Sequence, residues 1–523
     1  MKSTFHGLET ARRAMMTQQY ALSTTGHNIA NANTPGYSRQ RVNFTQTEPY
    51  PGVGRNRPMI PGHLGTGTQA GSIQRVRESF LDIQFRNEHN KASYWDTRFT
   101  ALQKMEDIMN EPSQDGIAST MDRFWNALQD LTADPQDSGA RMVVRERGVA
   151  VAETFNYVAS SLTLIQQDLK GEVNVTVKSF NSVLDQINSL NQQIAKVEPH
   201  GYVPNDLYDK RDNLVDQLSQ YVNVTVERVE AGGKPDAVAE GAYTIKLADE
   251  KGQDLGITLI DGSSYEVNHL SLTFDEGNSE LVSQLTFGDA QSVAFSEFDS
   301  RGKIKASIEA YGYLENGEGK GIYPDMLANL DEMVYTFVEE FNRVHRAGWN
   351  VEDIQNGAKG EAINFFTYSG NAAALTADNK AGAASRLQVS AEVMNQINKI
   401  AAAKPSADGV AFIGNGANAL ELANVKDKRL SYNGTTTTVQ SFYQSIIGDM
   451  AVNTNEANRM MRNADLLRNT VDERRQSVSS VSLDEEMTDM IKFQHAYNAA
   501  ARNITMVDEM LDRIINGMGV VGR

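Results

Sequence analysis

The chain has 523 residues, enough for three or four domains with several cores, and carries a net charge of −18 with no cysteine. That balance argues against nucleic acid as a partner, because phosphate backbones require a basic footprint, and the missing thiols rule out disulfides and thiolate metal sites. No run of about 18 apolar residues predicts a membrane span, and the first thirty residues lack a basic stretch followed by an apolar core, so neither membrane insertion nor a cleaved signal peptide is expected.

In chain order, residues 4 to 30 read as an amphipathic helix, with Leu8, Met15, Leu22 and Ile29 at intervals of seven and Phe5, Ala11 and Ala14 beside them. The helix runs into Gly26-His27-Asn28-Ile29-Ala30-Asn31-Ala32-Asn33-Thr34-Pro35-Gly36-Tyr37-Ser38-Arg39-Gln40. There Pro35 pushes Thr34 out of the helical region, Gly36 can take the positive φ of a type II turn, and the three asparagines can bond nearby backbone. Asn28, Asn31, Pro35, Gly36 and Tyr37 are the candidate residues of this turn. Residues 38 to 71 hold Pro49, Pro51, Pro58 and Pro61 and are expected to be loop-like. Gly65-Thr66-Gly67-Thr68 lacks the Gly-Lys-Ser or Gly-Lys-Thr, and the preceding apolar strand, of a phosphate loop.

Helical spacing returns from Ile73 to Met109, and Ile117, Met121, Phe124, Leu128 and Leu131 predict a second helix stopped by Asp134-Pro135. A long helix follows, its stripe running from Val144, Gly148, Val151 and Phe155 to Ile194. Some fifty residues of helix would measure about 75 Å. Pro199, Gly201 and Pro204 end it. A shorter helix covers 205 to 220, and its charge run from Asn205 to Leu214 is expected to be a solvated face. From Val222 the period changes to two. Strand-like runs at Tyr243 to Leu247, Ile257 to Ile260, Leu270 to Phe274 and Ile304 to Ile308 predict an inserted β domain with a hairpin at Asp261-Gly262. Helix resumes at Pro324, with Leu327, Leu330, Val334, Phe337, Phe341 and Val344 as its buried stripe. Residues 347 to 438 read as a second, mixed insertion with a short helix near 391 to 402 and a hairpin at Asn433-Gly434.

From about 439, two helical stretches interrupted near Ser477 to Ser482 lead to the last helix. Ser482 caps it, and Asp484, Glu485 and Glu486 suit its positive dipole end. Met490, Phe493, Tyr497, Ala500, Ile504, Val507, Leu511 and Ile514 alternate steps of three and four, the seam of a coiled coil, before Gly517 and Gly519. An isolated helix of this length is marginal in water, so the seam must be covered. The first helix is the candidate partner. Residues 1 to 41 carry five bases against Glu9, a net +4, and 483 to 523 carry seven acids against four bases, a net −3. Complementary charge of this kind sets partner and orientation more than affinity. The candidate assembly seam is therefore Leu8, Met15, Leu22 and Ile29 facing Met490, Phe493, Tyr497, Ile504, Val507 and Leu511.

The expected fold is mainly α with β-rich insertions. Residues 1–36 with 483–523 would form a terminal coiled-coil assembly domain, and 37–221 with 309–346 and 439–482 a helical rod domain. Residues 222–308 would be the inserted β domain and 347–438 the second mixed α/β insertion. Helix at both ends around β-rich material requires the termini to come back together.

The stretch from Asn28 to Arg39 resembles the N-terminal signature of bacterial flagellar rod, hook and hook-associated proteins: Asn-Ile-Ala-Asn, a short spacer, then Thr-Pro-Gly-Tyr-Ser-Arg. Val481-Ser482-Leu483-Asp484-Glu485-Glu486-Met487 and Phe493-Gln494-His495-Ala496-Tyr497 are similar to the C-terminal block of the hook-associated protein 1 family, in which Gly stands at the place of Ser480. Ile400 to Ala403, Asn418 to Ala423 and the helix at 205 to 220 resemble that family too, whereas the β insertion does so weakly. The resemblance implies a structural adapter at the hook-filament junction whose terminal helices form an inner tube. It implies as partners the flagellar hook protein, a second hook-filament junction protein, further copies of this chain in a ring or helical layer, and a cytoplasmic export chaperone holding the C-terminal helix. It also implies secretion by the flagellar type III system; the terminal helices are expected to be largely disordered in the free monomer and to order on assembly.

Two other readings stay open at this point, a hook or rod paralogue and an enzyme such as a glycosidase. The chemistry for an enzyme is thin. His6, His27, His63, His89, His200, His269, His345 and His495 are scattered, with none in a His-Glu-x-x-His pattern. No Gly-x-Ser-x-Gly elbow appears, and Glu339-Glu340 and Glu485-Glu486 diverge on their helices. No catalytic, cofactor-binding or metal-ligating residue is expected, although carboxylates could still meet across the fold. His495 beside the seam is read as an interface residue.

Overall fold

The computed structural model describes residues 4–517 apart from 53, 56–61, 110–112, 114–115, 276, 278–279, 289–290, 371–374, 378 and 406–409. Pro58, Pro61 and Gly519 lie outside the described residues. The chain opens with α1 (Thr4–Ala30), where the amphipathic pattern places it. The segment expected as loop is irregular in its described middle, 47–67, but its two ends form an antiparallel pair, β1 (Gln40–Gln46) and β2 (Thr68–Arg75), lying along α1. Its strands are polar and bulged between Asn43 and Phe44, so no period-two apolar pattern announces them. Helix α2 (Ser79–Met109) accordingly begins after Arg75 rather than at Ile73.

Helix α3 (Ile117–Ala133) stops at Asp134-Pro135 as expected. The long helix α4 (Ser138–Val197) has 60 residues, about 90 Å of rise, longer than the stripe alone suggested. Asp137 caps its start by accepting from the Gly139 and Ala140 N–H groups at 2.8 and 3.3 Å. Then α5 (Asn205–Tyr221) folds back against α2 and α4.

The strands between Val224 and Lys320 form two small sheets. Strands β3 (Val224–Val229), β4 (Ala242–Ala248) and β5 (Asp254–Ile260) make one antiparallel sheet. Strands β6 (Leu270–Phe274), β7 (Val282–Phe287), β8 (Gln291–Ala294), β9 (Tyr313–Glu315) and β10 (Glu318–Lys320) make the other, in the order β10-β9-β7-β6 with β8 on β7. At Asp261-Gly262 the chain does fold back, Ile260 bridging Val267, but β5 and β6 lie in different sheets, so the expected hairpin between those two strands is not formed. The run Ile304 to Ile308 is helical, inside α6 (Lys303–Tyr311): Ile304, Ile308 and Tyr311 bury one face at i, i+4 and i+7, a spacing that so short an apolar run cannot separate from alternation.

Helix α7 (Ile322–Ala347) then runs to the second insertion, which contains α8 (Val351–Asn356), β11 (Phe366–Tyr368), α9 (Ala383–Arg386) and β12 (Leu387–Val389), the two strands being paired. The helix expected over 391 to 402 is only α10 (Ala391–Asn395) and a single 3-10 turn; Ala403 is extended and bridges Trp349. After α11 (Ala417–Ala423), β13 (Leu430–Tyr432) and β14 (Thr435–Thr437) turn at Asn433-Gly434 as the dipeptide predicts. Helices α12 (Val439–Ser479) and α13 (Leu483–Gly517) close the chain with a break between them. The fold is mainly α with β-rich insertions.

A continuous apolar core runs from Ala101 to Met450. Its densest part is aromatic: Phe124 and Trp125 of α3 meet Phe337 and Phe341 of α7 and the Phe365-Phe366 pair, with ring centroids 4.8 to 6.3 Å apart. Gly148 of α4 lets Phe365 approach, since a Cβ there would lie 2.7 Å from its ring. None of the residues of this core belongs to α1 or α13. The terminal helices are held by other means.

Candidate functional site

Helices α1 and α13 lie side by side and antiparallel: Asn28 meets Glu486, and at the other end an ideal Cβ on Gly7 would sit 3.9 Å from Val507 Cγ2. Leu8, Met15, Leu22 and Ile29, and Met490, Phe493, Tyr497, Ile504, Val507 and Leu511, are all half-buried, whereas Ala500 is buried and Ile514 exposed. The deepest side chains of α1 are small or polar: Ala11, Thr17, Ala21, Thr24 and Thr25 let the β1–β2 hairpin come close, and Thr17 donates to the Thr68 carbonyl at 3.2 Å. Phe44 of β1 meets Phe493 edge-on, with centroids 6.0 Å apart. Much apolar surface stays in water, including Phe5, Met16 and Tyr20 on α1 and Leu483, Met487, Ile491, Met506, Met510 and Ile515 on α13. His495 is exposed.

The signature turn is a polar hub. Asn28, 1% exposed, makes four hydrogen bonds: its amide donates to the Gln40 carbonyl at 2.9 Å and to Glu486 at 3.0 Å, and its oxygen accepts from the Gln40 N–H at 3.0 Å and the Tyr37 hydroxyl at 2.8 Å. Every hydrogen-bonding site of its amide group is engaged, which removes the cost of burying it. Asn31 donates to the His27 carbonyl and accepts from Thr34, closing the helix end before Pro35. Gly36 takes φ +76°, and a Cβ on it would overlap Asn213 of α5 at 2.0 Å. Burial, with Asp206, Asp209 and Glu486 nearby, pushes the Tyr37 hydroxyl well above its usual range, so it stays a donor. Glu486, 2% exposed, takes Arg39 Nε at 2.6 Å on its other oxygen, and Arg39 reaches Glu485 at 2.6 Å. The Arg39 N–H donates to the Ser479 carbonyl, holding the break between α12 and α13.

Beneath the turn, the charge run of α5 is solvated only at Asp206 and Lys210; Asp209, Arg211 and Asp212 are buried, which corrects the expectation for residues 205 to 214. Arg211 is 0% exposed, and Asp209, Asp212 and Asp216 are nearly so. Arg75 reaches Asp209 and Asp212 at 2.8 Å and Glu240 at 2.6 Å; Arg77 grips Asp82 with two bonds at 2.7 and 2.9 Å. Asp216 takes both Arg86 at 2.7 Å and Arg475 of α12 at 2.6 Å. Arg211 lies 3.3 Å over the Tyr243 ring. Burial alone would raise the Asp212 carboxyl, but Arg77, Arg75, Arg86 and Arg211 hold it well below the usual carboxylate range. The Ser38 N–H donates to Asp209 and Gln40 to Asp206, so the turn is seated on this network.

Sequence reasoning missed Arg39, Gln40, Glu486 and the arginine–carboxylate network as structural determinants. Glu486 looked like one of three interchangeable acids in a first helical turn; only burial separates it from Asp484 and Glu485. The spacing of Asp209, Asp212 and Asp216 along one face was the available signal for the network.

Residues 102–366 match the family described as flagellar hook-associated protein FlgK helical domain. Residues 474–517 match the flagellar basal body rod FlgEFG protein C-terminal family, and 8–37 the flagella basal body rod protein family. The chain is 46% identical to flagellar hook-associated protein 1 of Bacillus subtilis (strain 168) over 524 residues, covering 100% of each chain. It is 26% identical to flagellar hook-associated protein 1 of Escherichia coli (strain K12) over 383 residues, 71% of this chain and 62% of that protein. The solved structure of the flagellar hook junction protein FlgK from Burkholderia pseudomallei has a similar fold, with a TM-score of 0.60 at 15% identity over 76% of this chain and 100% of that one.

Proposed function

This chain belongs to the flagellar hook-associated protein 1 family, a structural component of the bacterial flagellum at the hook-filament junction, and from that premise we propose that it polymerises through its terminal helices. The family is structural and not enzymatic, and the similarities give no support to a glycosidase or to a hook or rod paralogue. The observation that carries the proposal is the half-buried pair of α1 and α13, whose outward apolar residues are uncovered in one chain and need neighbours to cover them. Residues 1–36 with 483–523 are then the assembly domain, seated by the signature turn on the helical rod domain, with 222–308 and 347–438 as inserted domains. The seam of Leu8, Met15, Leu22 and Ile29 against Met490, Phe493, Tyr497, Ile504, Val507 and Leu511 is its assembly seam.

Copies of the chain stack as a ring or helical layer on the flagellar hook protein and present a surface to a second junction protein. Before that, export through the flagellar type III channel requires the chain unfolded, which frees the seam of α13 and gives a cytoplasmic chaperone an amphipathic helix to hold. The test is electron microscopy of purified hooks incubated with the full chain or with a chain truncated after Val481. A distal layer with the full chain alone supports the reading; a layer with both would remove α13 from the assembly element, and none with either would refute addition to hooks.

A further inference from the structure

We infer that Asn28, Arg39 and Glu486 form a register key, which decides which turn of α13 meets which turn of α1. The apolar seam cannot make that decision. On α1 it repeats every seven residues at Leu8, Met15, Leu22 and Ile29, and on α13 at Met490, Tyr497, Ile504 and Leu511. Sliding one helix by seven residues, about 10.5 Å, sets apolar side chains against apolar side chains again. These residues are only half-buried, so a slipped pair gives up little contact. A repeating pattern is degenerate in register, and a single buried polar group that does not repeat is the best-attested means of breaking such degeneracy.

The hub supplies that group. Glu486 is 2% exposed and divides its two oxygens between the Asn28 amide at 3.0 Å and Arg39 Nε at 2.6 Å. Seven residues away on α13 stand Phe493 on one side and Ser479, beyond the helix break, on the other, and seven before Asn28 on α1 stands Ala21. Neither register slipped by seven residues offers Asn28 a carboxylate there. Slippage would also separate the Glu486 carboxylate from Arg39, which the Ser479 carbonyl fixes to the α12–α13 break. The key therefore sets how far α13 projects along α1, and with it the apolar surface shown to neighbours. This rests on the reading of the helix pair as the assembly element.

Because the chain has no cysteine, an introduced pair reports on register without background. In the full-length chain, Gly7→Cys with Val507→Cys reads the register described here, and Gly7→Cys with Ile514→Cys reads a slip of seven. With the key intact, disulfide formation under added oxidant should be confined to the first pair. Glu486→Leu, and Asn28→Leu with Glu486→Leu, should bring both pairs to comparable yield while circular dichroism shows unchanged helix. Ile504→Ala, which weakens the seam and spares the key, should keep the first pair only. Key variants that cross-link like the parent overturn the proposal, and so does a parent in which Gly7→Cys and Val507→Cys fail to join. If the parent joins and the key variants slip but no layer forms on hooks, the key stands and the adapter reading alone fails.

Discussion

At the residue scale, two positions show how local geometry dictates identity. Gly36 combines φ +76° with no room for a Cβ against the Asn213 side chain, so Gly36→Ala must both strain the backbone and displace that side chain. A loss of about 1–3 kcal/mol is expected in urea unfolding; an unchanged midpoint would show that the turn is not seated as described. His345 is the second. Its Nδ1 faces the Ile363 carbonyl at 2.8 Å and its Nε2 accepts from the Ala401 N–H at 3.1 Å, so the ring must be neutral. Burial lowers it from 6.5 to about 4. The unfolded chain then binds more protons between those values, so this stability is fully present above about pH 6.5 and is lost as pH falls toward 4. The full loss is about 3 kcal/mol. Denaturant titrations across that range should show the slope in the parent and a shallower one in His345→Gln; equal slopes would mean that the ring does not titrate there.

At the element scale, α5 is held by charge as well as by apolar contact: Val215 and Leu218 enter the core, and the arginine–carboxylate network grips its other face. The Arg75 side chain is 4% exposed and serves Asp209, Asp212 and Glu240 at once, so Arg75→Met leaves three carboxylates without that partner in a buried site. The expected cost is about 3–5 kcal/mol by chemical denaturation, with premature exchange of the α5 amides. The low Asp212 carboxyl gives this network its own pH signature: its stability is present above about pH 4 and lost as pH falls below. This element also marks the limit of what sequence could show. The stripes of α1, α3, α4, α7 and α13 were legible because apolar residues at helical spacing have one common solution, burial of that face. The β1–β2 hairpin was not, because its polar strands pair across a long connection and take their order from α1 and from each other. The charge run of α5 failed for the converse reason: solvation is the default for charges, and the arginines that override it come from positions 75, 77, 86 and 475, far away in the chain. For the site, the two terminal helices and the turn after α1 could be read as elements, but the role of Glu486 could not, since only the tertiary fold brings Arg39 and Asn28 to it.

At the scale of the whole molecule, the apolar core and the terminal pair are separate stores of stability. The continuous core spans Ala101 to Met450, while α1 and α13 are joined to the rest through the polar hub and the β1–β2 hairpin. A change in the seam of α13 should therefore leave the core untouched and act on the terminal pair and on association. Ile504→Asp is such a change. Ile504 is half-buried, so a carboxylate there costs little in one chain, but in a layer whose neighbours exclude water it would be a buried charge without a partner. The unfolding midpoint of the central domains should stay within about 0.5 kcal/mol of the parent, and addition to hooks should be abolished. Amide exchange separates the causes. Residues 4–30 and 483–517 should exchange readily in dilute chain and become protected on hooks in the parent, and remain unprotected in the variant. Strong protection of both ends in the dilute parent would mean that the pair is complete within one chain. Normal addition of Ile504→Asp would place the assembly contacts on another face.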